Sequence, residues 1–316
     1  MKKLLVILGP TATGKTDLAI NLAKKFNGEL VSCDSRQVYK GLDIGTGKMP
    51  SGKFIIKKQA GLWIIDGVKI WMYDVVNPKK QYTVYDYVQD ANKIIEDIYR
   101  RGKLPIIVGG TGLYLKALIE GLPNLAIPVD QKLRKKLDKL SKFQLQKKLQ
   151  EISPMRWKSL NKSDRENPRR LIRAIELMIQ VQLRLLRPRT RWCGARNDIL
   201  KVGLKAPREI LYKRIDERVI LRINQGMIDE AKKLHKKRLS YKRMRQLGLE
   251  YGILADYLEG KINSIDGLIQ LLQGKIHGYA RRQITWFKKE KNVHWFDISE
   301  KSYQQKIAKM VAQWYD

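Results

Sequence analysis

Cysteine, histidine and acidic residues are all scarce in this sequence of 316 residues. Two cysteines, Cys33 and Cys193, are too few for a disulfide framework or a cysteine-based zinc site, and three scattered histidines do not suggest a metal cluster. No apolar run approaches the roughly 20 residues that span a bilayer, and the N-terminal residues lead into a strand without a signal-peptide cleavage site. These absences predict a soluble protein of the reducing cytoplasm, with no membrane among its partners.

The charge balance is strongly basic, with 64 Lys and Arg residues against 31 Asp and Glu residues and a formal net charge of +33. Such a charge repels itself in a compact state, and it attracts nucleic acid or an anionic membrane surface. With 43% hydrophobic residues, the chain can still bury a core as one large domain or two modest ones. The composition therefore favours a globular protein that binds a polyanion.

A phosphate-binding loop lies near the N-terminus, where Lys2 to Phe26 has the pattern of an apolar strand, a glycine loop and a helix. The loop matches G-x-x-x-x-G-K-[ST]. Its glycines let backbone N–H groups turn toward a phosphate, its lysine adds positive charge, and its last hydroxyl suits Mg²⁺. The pattern indicates a polyphosphate without saying which one. The predicted diphosphate- or nucleotide-binding residues are Gly9, Pro10, Thr11, Ala12, Thr13, Gly14, Lys15 and Thr16, with Thr16 as the Mg²⁺ ligand.

Two further strands end in polar loops. A strand over Leu30 to Cys33 is followed by Asp34, and a strand over Leu104 to Val108 is followed by the glycine turn 109–111. Because ligands bind at the carboxyl ends of the strands in open α/β sheets, we expect these loops and the phosphate loop to converge there. The predicted fold class is α/β, a P-loop NTPase-like parallel sheet flanked by helices.

The position of Asp34 leaves its role open. The carboxylate could hold Mg²⁺ through water, act as a general base toward a nucleophile, or cap its own turn. The adjacent Cys33 is predicted to be a buried apolar residue rather than a nucleophile.

Of the remaining segments, some are predicted to extend this α/β core and one to form an insertion within it. Asp66-Gly67 between two β-rich runs predicts a hairpin, and apolar periodicity predicts a helix from Thr83 to Arg101. The basic stretch 123–197 is predicted to be a helical insertion into a core formed by 1–122 and 198–316. The other predicted elements are a strand at 197–204, helices at 208–224, 228–238, 244–259 and 265–289, and a short strand or extended segment at 293–298.

Five motifs follow one another along the chain: GPTATGKT, SCDSRQVYKGLDIGTGK from Ser32, VGGTGLYLKAL from Val108, NPRRLIRAIE from Asn167 and ARRQITWF from Ala280. Together they resemble the successive signatures of the tRNA dimethylallyltransferases, and the second and third motifs in combination are specific to that family. The resemblance implies transfer of a dimethylallyl group from dimethylallyl diphosphate to the exocyclic N6 amine of the adenosine immediately 3′ of the tRNA anticodon.

The resemblance also implies roles for single residues. The phosphate loop, with Mg²⁺ as cofactor, would hold the diphosphate as it leaves, and Arg218 would add positive charge there. Asp34 would accept a proton from the adenine amine, and Thr111 would hold the adenine and Asp34 in register. An adenosine in an unpaired loop costs least to extrude into such a pocket. The implied catalytic residues are Asp34, Thr111 and Arg218.

The same resemblance assigns the insertion to binding the tRNA anticodon stem-loop. A monomer is expected, because one concave basic surface suffices to grip a tRNA. The implied tRNA-binding residues are Asp34, Ser35, Arg36, Gln37, Thr111, Arg134, Arg169, Arg170, Leu171, Ile172, Arg173, Arg245 and Arg282.

The chain departs from the family pattern at several positions. Ile70 and Trp71 stand where many relatives have a histidine pair, which questions any imidazole at the site. Leu249 and Glu250 replace a common tyrosine and a basic RNA contact, and Arg222 stands where methionine is usual. The cysteine count excludes the zinc finger of the eukaryotic members.

Three other functions share parts of this pattern. An adenylate isopentenyltransferase would act on free AMP, ADP or ATP, which needs neither the insertion nor a net charge of +33. A P-loop kinase or NTPase would need an apolar strand ending in a pair of acidic residues, and no such strand is evident. A non-catalytic RNA-binding module is disfavoured by the intact Lys15, Thr16, Asp34 and Thr111.

Overall fold

The computed structural model describes residues 2–49, 55–122, 124–125, 127, 129–183 and 198–315, with only the backbone described for 181–183. Over these residues the chain divides into two compact units, Met1–Glu120 with Ala195–Asp316, and Gly121–Gly194. The predicted domain boundaries involve residues 123 and 197, which lie outside the described residues, as does Cys193.

The larger unit alternates strands and helices. Its described strands are β1 (Lys3–Leu8), β2 (Gly28–Ser32), β3 (Ile56–Gln59), β4 (Gly61–Ile65), β5 (Val68–Tyr73), β6 (Leu104–Val108), β7 (Asp198–Lys205) and β8 (Val293–Asp297). Its described helices are α1 (Lys15–Lys25), α2 (Val84–Arg100), α3 (Gly112–Ile119), α9 (Arg208–Asn224), α10 (Met227–Lys236), α11 (Tyr241–Leu247), α12 (Leu249–Leu258), α13 (Ile265–Phe287) and α14 (Tyr303–Tyr315). The numbers α4 to α8 belong to the smaller unit.

Within the described residues these strands form one sheet in the order β3-β4-β5-β2-β6-β1-β7-β8. The pairings from β5 to β8 are parallel, whereas β3, β4 and β5 pair antiparallel. Leu5 of β1 lies between Ile106 of β6 and Leu200 of β7, and all three side chains are buried. Continuous apolar strands of this kind are typical of a parallel sheet covered on both faces. The predicted α/β fold is confirmed.

Local sequence signals set several element ends as expected. The Thr83 hydroxyl accepts the Asp86 N–H in a capping box that begins α2, and the Ser264 hydroxyl accepts the Gly267 N–H at the start of α13. The hairpin between β4 and β5 turns at Asp66-Gly67, both with positive φ. Strand β7 rejoins the sheet beside β1, and the late segment forms strand β8 beside it.

One predicted element is wrong, and one observed strand had no prediction. The predicted helix 244–259 is two helices, because Gly248 has φ +137° and breaks the chain between α11 and α12. The edge strand β3, whose sequence is IKKQ, was not predicted, because three of its four residues are exposed and lack an apolar pattern. No described helix is both long enough and apolar enough to cross a bilayer.

The smaller unit is helical where the structure describes it. Leu145, Leu149, Leu171 and Ile175 form its buried core. Its described helices are α4 (Gln131–Leu137), α5 (Lys142–Ile152), α6 (Pro154–Ser159), α7 (Lys162–Arg165) and α8 (Pro168–Leu183).

Candidate active site

The phosphate loop joins β1 to α1 and is shaped by two glycines. Gly9 has φ +143°, and a Cβ there would lie 2.4 Å from the carbonyl oxygen of Leu204, so β7 leaves no room for a side chain. Gly14 has φ +77° and directly precedes α1. Glycine adopts such conformations without the steric cost that a Cβ imposes. The loop therefore leads into the first turn of α1, whose N–H groups favour an anion.

Lys15 lies in this loop with its ammonium group against the backbone. Its Nζ donates a hydrogen bond to the Pro10 carbonyl oxygen at 2.6 Å. Burial, and then the nearby Arg218, lower the pKa of Lys15 to about 7, whereas Asp34 acts in the opposite direction. A diphosphate bound in the loop would favour the charged form of this lysine.

A cavity of about 650 Å³ opens at the carboxyl edge of the sheet, and all of its lining residues belong to the larger unit. Burial, and then Arg222, lower the pKa of Arg218 to about 9, so this arginine remains charged at neutral pH. Six cationic side chains and four carboxylates line the cavity, and this excess of positive charge suits a polyanionic ligand. The lysine and arginine residues that line it are Lys15, Arg36, Arg214, Arg218, Arg222 and Arg282.

Asp34 also lines this cavity, directly after β2 and Cys33. Its Oδ1 accepts the backbone N–H of Arg36 at 2.8 Å and that of Gln37 at 3.4 Å, so it caps its own turn. Within the described residues, hydrogen bonds engage only this one carboxylate oxygen. Asp34 therefore caps a turn and still faces the cavity. Cys33 is buried, which raises its pKa to about 12, and it is the inert apolar residue that we predicted.

Thr111 links the glycine turn to the loop that carries Asp34. Its Oγ1 accepts the Ser35 N–H at 3.1 Å, and its own N–H donates to the Cys33 carbonyl oxygen at 3.2 Å. Thr111 is not among the residues that line the cavity. Its contacts fix the register of the Asp34 loop, while its predicted contact with adenine stays a prediction.

The other predicted residues of the larger unit fall into three groups. Those at the cavity, besides Asp34 and the cations named above, are Thr11, Ala12, Gly14, Thr16, Ser35 and Gln37. Gly9, Pro10 and Thr13 do not line the cavity, and the Thr13 hydroxyl donates a hydrogen bond to the Pro10 carbonyl oxygen at 2.9 Å within the loop. Arg245 lies away from the cavity and pairs with Asp256 and Glu259, so its predicted RNA contact would require those pairs to open.

In the smaller unit, the predicted RNA-binding residues make internal contacts. Arg134 and Arg173 both pair with Glu176, whose side chain is fully buried. Leu171 and Ile172 pack in the core, which gives their side chains a structural role. Arg170 pairs with Asp164 and is half exposed, and Arg169 is exposed, so these two side chains are the more accessible to RNA.

A carboxylate that the sequence did not single out organises one wall of the cavity. Glu230 accepts the N–H groups of three successive residues, 43–45, at 2.8–3.1 Å, and the Tyr251 hydroxyl donates to it at 2.5 Å. Thr46 and Gly47, which follow these residues, line the cavity. Glu230 thus fixes the backbone of residues 43–45, next to the residues that line the cavity. Only the three-dimensional contacts reveal this role.

Two departures from the family pattern meet inside the cavity. Arg222 Nη1 lies 3.9 Å from Glu250 Oε1 and donates to the Gly45 carbonyl oxygen at 3.2 Å. Burial raises the pKa of Glu250, and Arg222 opposes that rise. The unusual arginine and the unusual glutamate therefore compensate each other in charge. Trp71, in contrast, is not a lining residue, and its Nε1 donates to Glu29 at 2.8 Å.

The residues at the cavity fit the Mg²⁺ that the resemblance implies. The Thr16 hydroxyl and the carboxylates of Asp17 and Asp34 line the same space. In the part of the chain that the structure describes, no group of three or more His, Cys, Asp or Glu residues could hold an ion alone. Mg²⁺ commonly keeps several waters and binds through one or two carboxylates plus substrate phosphates, as this set of donors would require.

Comparisons with known sequences give a consistent result. A family profile described as IPP transferase matches residues 37–290, and one described as isopentenyl transferase matches residues 2–68. The tRNA dimethylallyltransferase 2 of Treponema denticola is 44% identical over 293 residues, which are 91% of this chain and 92% of that protein. The tRNA dimethylallyltransferase of Acetivibrio thermocellus is 37% identical over 315 residues, 98% of this chain and 96% of that protein.

Solved structures share the fold. The tRNA isopentenylpyrophosphate transferase of Bacillus halodurans is 33% identical with a TM-score of 0.70, over 99% of this chain and 97% of that chain. A eukaryotic dimethylallyltransferase acting on tRNA has a TM-score of 0.77 at 24% identity, over 99% of this chain and 78% of that chain. At that identity the second likeness concerns the fold alone.

Proposed function

The chain belongs to the tRNA dimethylallyltransferase family, and on that premise we propose how its cavity transfers a dimethylallyl group from dimethylallyl diphosphate to tRNA. The acceptor is the N6 amine of the adenosine immediately 3′ of the anticodon. One observation carries the proposal: the phosphate loop, Arg218 and Asp34 face the same cavity. A diphosphate cradle and a carboxylate that can accept a proton therefore line one cavity.

The reaction forms one bond and breaks another. The N6 nitrogen attacks C1 of the dimethylallyl group, the C1–O bond breaks, and its electron pair leaves with the diphosphate. Lys15, Arg218 and the loop N–H groups stabilise the negative charge that develops on the leaving group. The alkylated nitrogen then carries an excess proton, which passes to the Asp34 carboxylate. The products are N6-alkylated adenosine, diphosphate and protonated Asp34, which returns its proton to solvent.

The contacts of Asp34 suit this role. Because the backbone N–H of Arg36 holds Oδ1 at 2.8 Å, the carboxylate has a fixed orientation and its other oxygen can meet the amine. Thr111 holds the same loop through the Ser35 N–H. When bound, Mg²⁺ would be held by the Thr16 hydroxyl and the diphosphate oxygens, and it would supply further charge neutralisation for the leaving group.

RNA, rather than a free nucleotide, is the acceptor that the charges support. The net charge of +33 exceeds what a mononucleotide needs, and Arg36 and Arg282 extend the cationic surface at the cavity. The helical unit adds the accessible Arg169 and Arg170. An unpaired adenosine of the anticodon loop can leave its stack at low cost and enter the cavity.

Labelled dimethylallyl diphosphate tests the acceptor. With Mg²⁺ present, the protein should label an anticodon stem-loop with adenosines after the anticodon and leave AMP unlabelled. Comparable kcat/KM for AMP would overturn the RNA assignment.

The Asp34→Asn variant tests the proton acceptor separately. We expect kcat to fall by about 10²- to 10⁴-fold, because an amide cannot take up the proton, while stem-loop affinity stays within about twofold. An equal loss of RNA affinity would make Asp34 a binding residue only.

A further inference from the structure

One buried side chain joins two of the active-site loops. Gln283 on α13 is 6% exposed. Its Oε1 accepts the backbone N–H of Thr11 in the phosphate loop at 2.9 Å, and its Nε2 donates to the carbonyl oxygen of Gly110 at 2.9 Å. The carboxamide therefore bridges the diphosphate cradle and the glycine turn after β6.

Each end of this bridge continues toward a reacting group. On one side, Thr11 follows Pro10, whose carbonyl oxygen accepts the hydrogen bond of Lys15 at 2.6 Å. On the other side, Gly110 precedes Thr111, whose Oγ1 accepts the N–H of Ser35 beside Asp34. The cation at the leaving group and the loop of the proton acceptor are thus connected through a single amide.

The chemistry of the bridge favours glutamine. Its two partners are a backbone donor and a backbone acceptor, and a carboxamide offers one acceptor and one donor without adding charge. A glutamate at position 283 would place a carboxylate oxygen next to the Gly110 carbonyl oxygen. An apolar residue there would leave the Thr11 N–H and the Gly110 carbonyl oxygen without this hydrogen-bond partner. Leaving buried polar groups unpaired is costly.

The fit at Gly110 is close. A Cβ at this position would lie 2.3 Å from Gln283 Nε2, and the next atom outside Gln283 is the Gly9 carbonyl oxygen at 3.7 Å. Glycine is therefore needed at position 110, because the Gln283 side chain occupies the space that a Cβ would fill.

From these contacts we propose that Gln283 is a positioning residue that sets the distance between the diphosphate cradle and Asp34. The inference rests on the proposed function, because it assigns Gln283 a part in aligning C1 of the dimethylallyl group with the adenine amine. Gln283 lines the cavity, but both polar atoms of its carboxamide are bonded to backbone groups of Thr11 and Gly110, so we assign it no direct part in the chemistry. A displacement of about 1 Å between aligned groups can lower a rate about a hundredfold.

Isosteric variants test the bridge. Gln283→Glu and Gln283→Met keep the side-chain size but remove one or both hydrogen bonds. We expect each to lower kcat by about a hundredfold, with the Kd for the anticodon stem-loop unchanged. Gln270→Glu is the matched control, since Gln270 lies exposed on the same helix, and it should keep the wild-type kcat. Rates are expressed per folded molecule, counted by far-ultraviolet circular dichroism and by thermal unfolding.

A double-mutant cycle separates positioning from simple loss of stability. Gly110→Ala should lower kcat in the wild-type background, because the new methyl group displaces Gln283. In the Gln283→Ala background the same change should cost little more, because the space is already open. An equal loss in both backgrounds would overturn the proposal, and so would Gln283 variants that retain the wild-type kcat.

The two failures are distinguishable. If wild-type protein does not alkylate the stem-loop at all, the proposed function fails. If wild-type protein is active and the Gln283 variants match it, only the positioning role fails.

Discussion

Replacing Lys15 by methionine should stabilise the protein while abolishing its binding of diphosphate. Burial, then Arg218, lower the pKa of Lys15 from 10.5 to about 7. Such a shift corresponds to a penalty of about 5 kcal/mol in the free energy of unfolding at pH 7. Losing the hydrogen bond to the Pro10 carbonyl oxygen should destabilise the variant by only about 1 kcal/mol, because Thr13 donates to the same oxygen.

Solvent in the cavity screens part of that penalty. We therefore expect Lys15→Met to raise the free energy of unfolding, measured without diphosphate, by about 2–4 kcal/mol at pH 7. Methionine keeps the length of the side chain and needs no counterion. This gain in stability should be accompanied by loss of diphosphate binding, because methionine lacks the positive charge of Lys15.

The stability gain of Lys15→Met should decrease as the pH rises above 7. Below pH 7, Lys15 is protonated in both the folded and the unfolded protein, so the penalty is fully present. Between pH 7 and 10.5 the folded protein binds fewer protons than the unfolded chain, and wild-type stability rises relative to the variant. The difference between the two proteins should therefore shrink as the pH rises from 7 to 10.

Urea unfolding followed by tryptophan fluorescence at pH 7 and at pH 10 measures this difference. Calorimetric titration with inorganic diphosphate measures the lost binding. Lys24→Met is the control, because Lys24 lies exposed on the same helix, and it should shift stability by no more than about 0.5 kcal/mol. A Lys15→Met protein that is less stable than wild type at pH 7, or a difference that does not change with pH, would refute the reasoning.

Two further substitutions probe the scaffold. Burial alone would raise the pKa of Glu29, but hydrogen bonds from Arg101, Trp71 and Lys103 lower it to about 2. Glu29→Gln should therefore lower the free energy of unfolding by about 3 kcal/mol at pH 7, measured by urea unfolding. Because the folded pKa lies below the unfolded value of 4.5, that cost should fade as the pH drops from 4.5 to 2; an equal cost at pH 7 and pH 3 would contradict this assignment. Glu230→Gln should lower the free energy of unfolding by about 1–3 kcal/mol and kcat about tenfold, since an amide cannot accept all the N–H groups of 43–45. An unchanged kcat in steady-state assays would show that the cavity wall does not need this anchor.

The sheet edge could be predicted because its signals are local. A glycine loop after an apolar strand and polar residues after two further strands place three loops together, whatever the rest of the chain does. Asp34 and Lys15 line one cavity as a result, whereas Arg218 of α9, which lines the same cavity, was indicated only by the family resemblance.

The contacts that support this edge could not be predicted, because they join distant parts of the sequence. Gln283 bonds to Thr11 across 272 residues of sequence, and Glu230 bonds to residues 43–45 across 185 to 187 residues. Nothing in the local pattern distinguishes these polar residues from exposed ones. Likewise, basic residues alone do not show which arginines have internal partners, and Arg134 and Arg173 pair with the buried Glu176.

The central claim is that the phosphate loop holds a leaving group and that carbon, not phosphorus, is transferred. Dimethylallyl diphosphate carrying ¹⁴C in the isoprenoid and ³²P in the diphosphate tests it in one incubation with an anticodon stem-loop. We predict that the RNA acquires ¹⁴C at the adenosine 3′ of the anticodon, while all ³²P appears as free diphosphate. Transfer of ³²P to the RNA, or release of ³²P without any ¹⁴C in the RNA, would contradict the account.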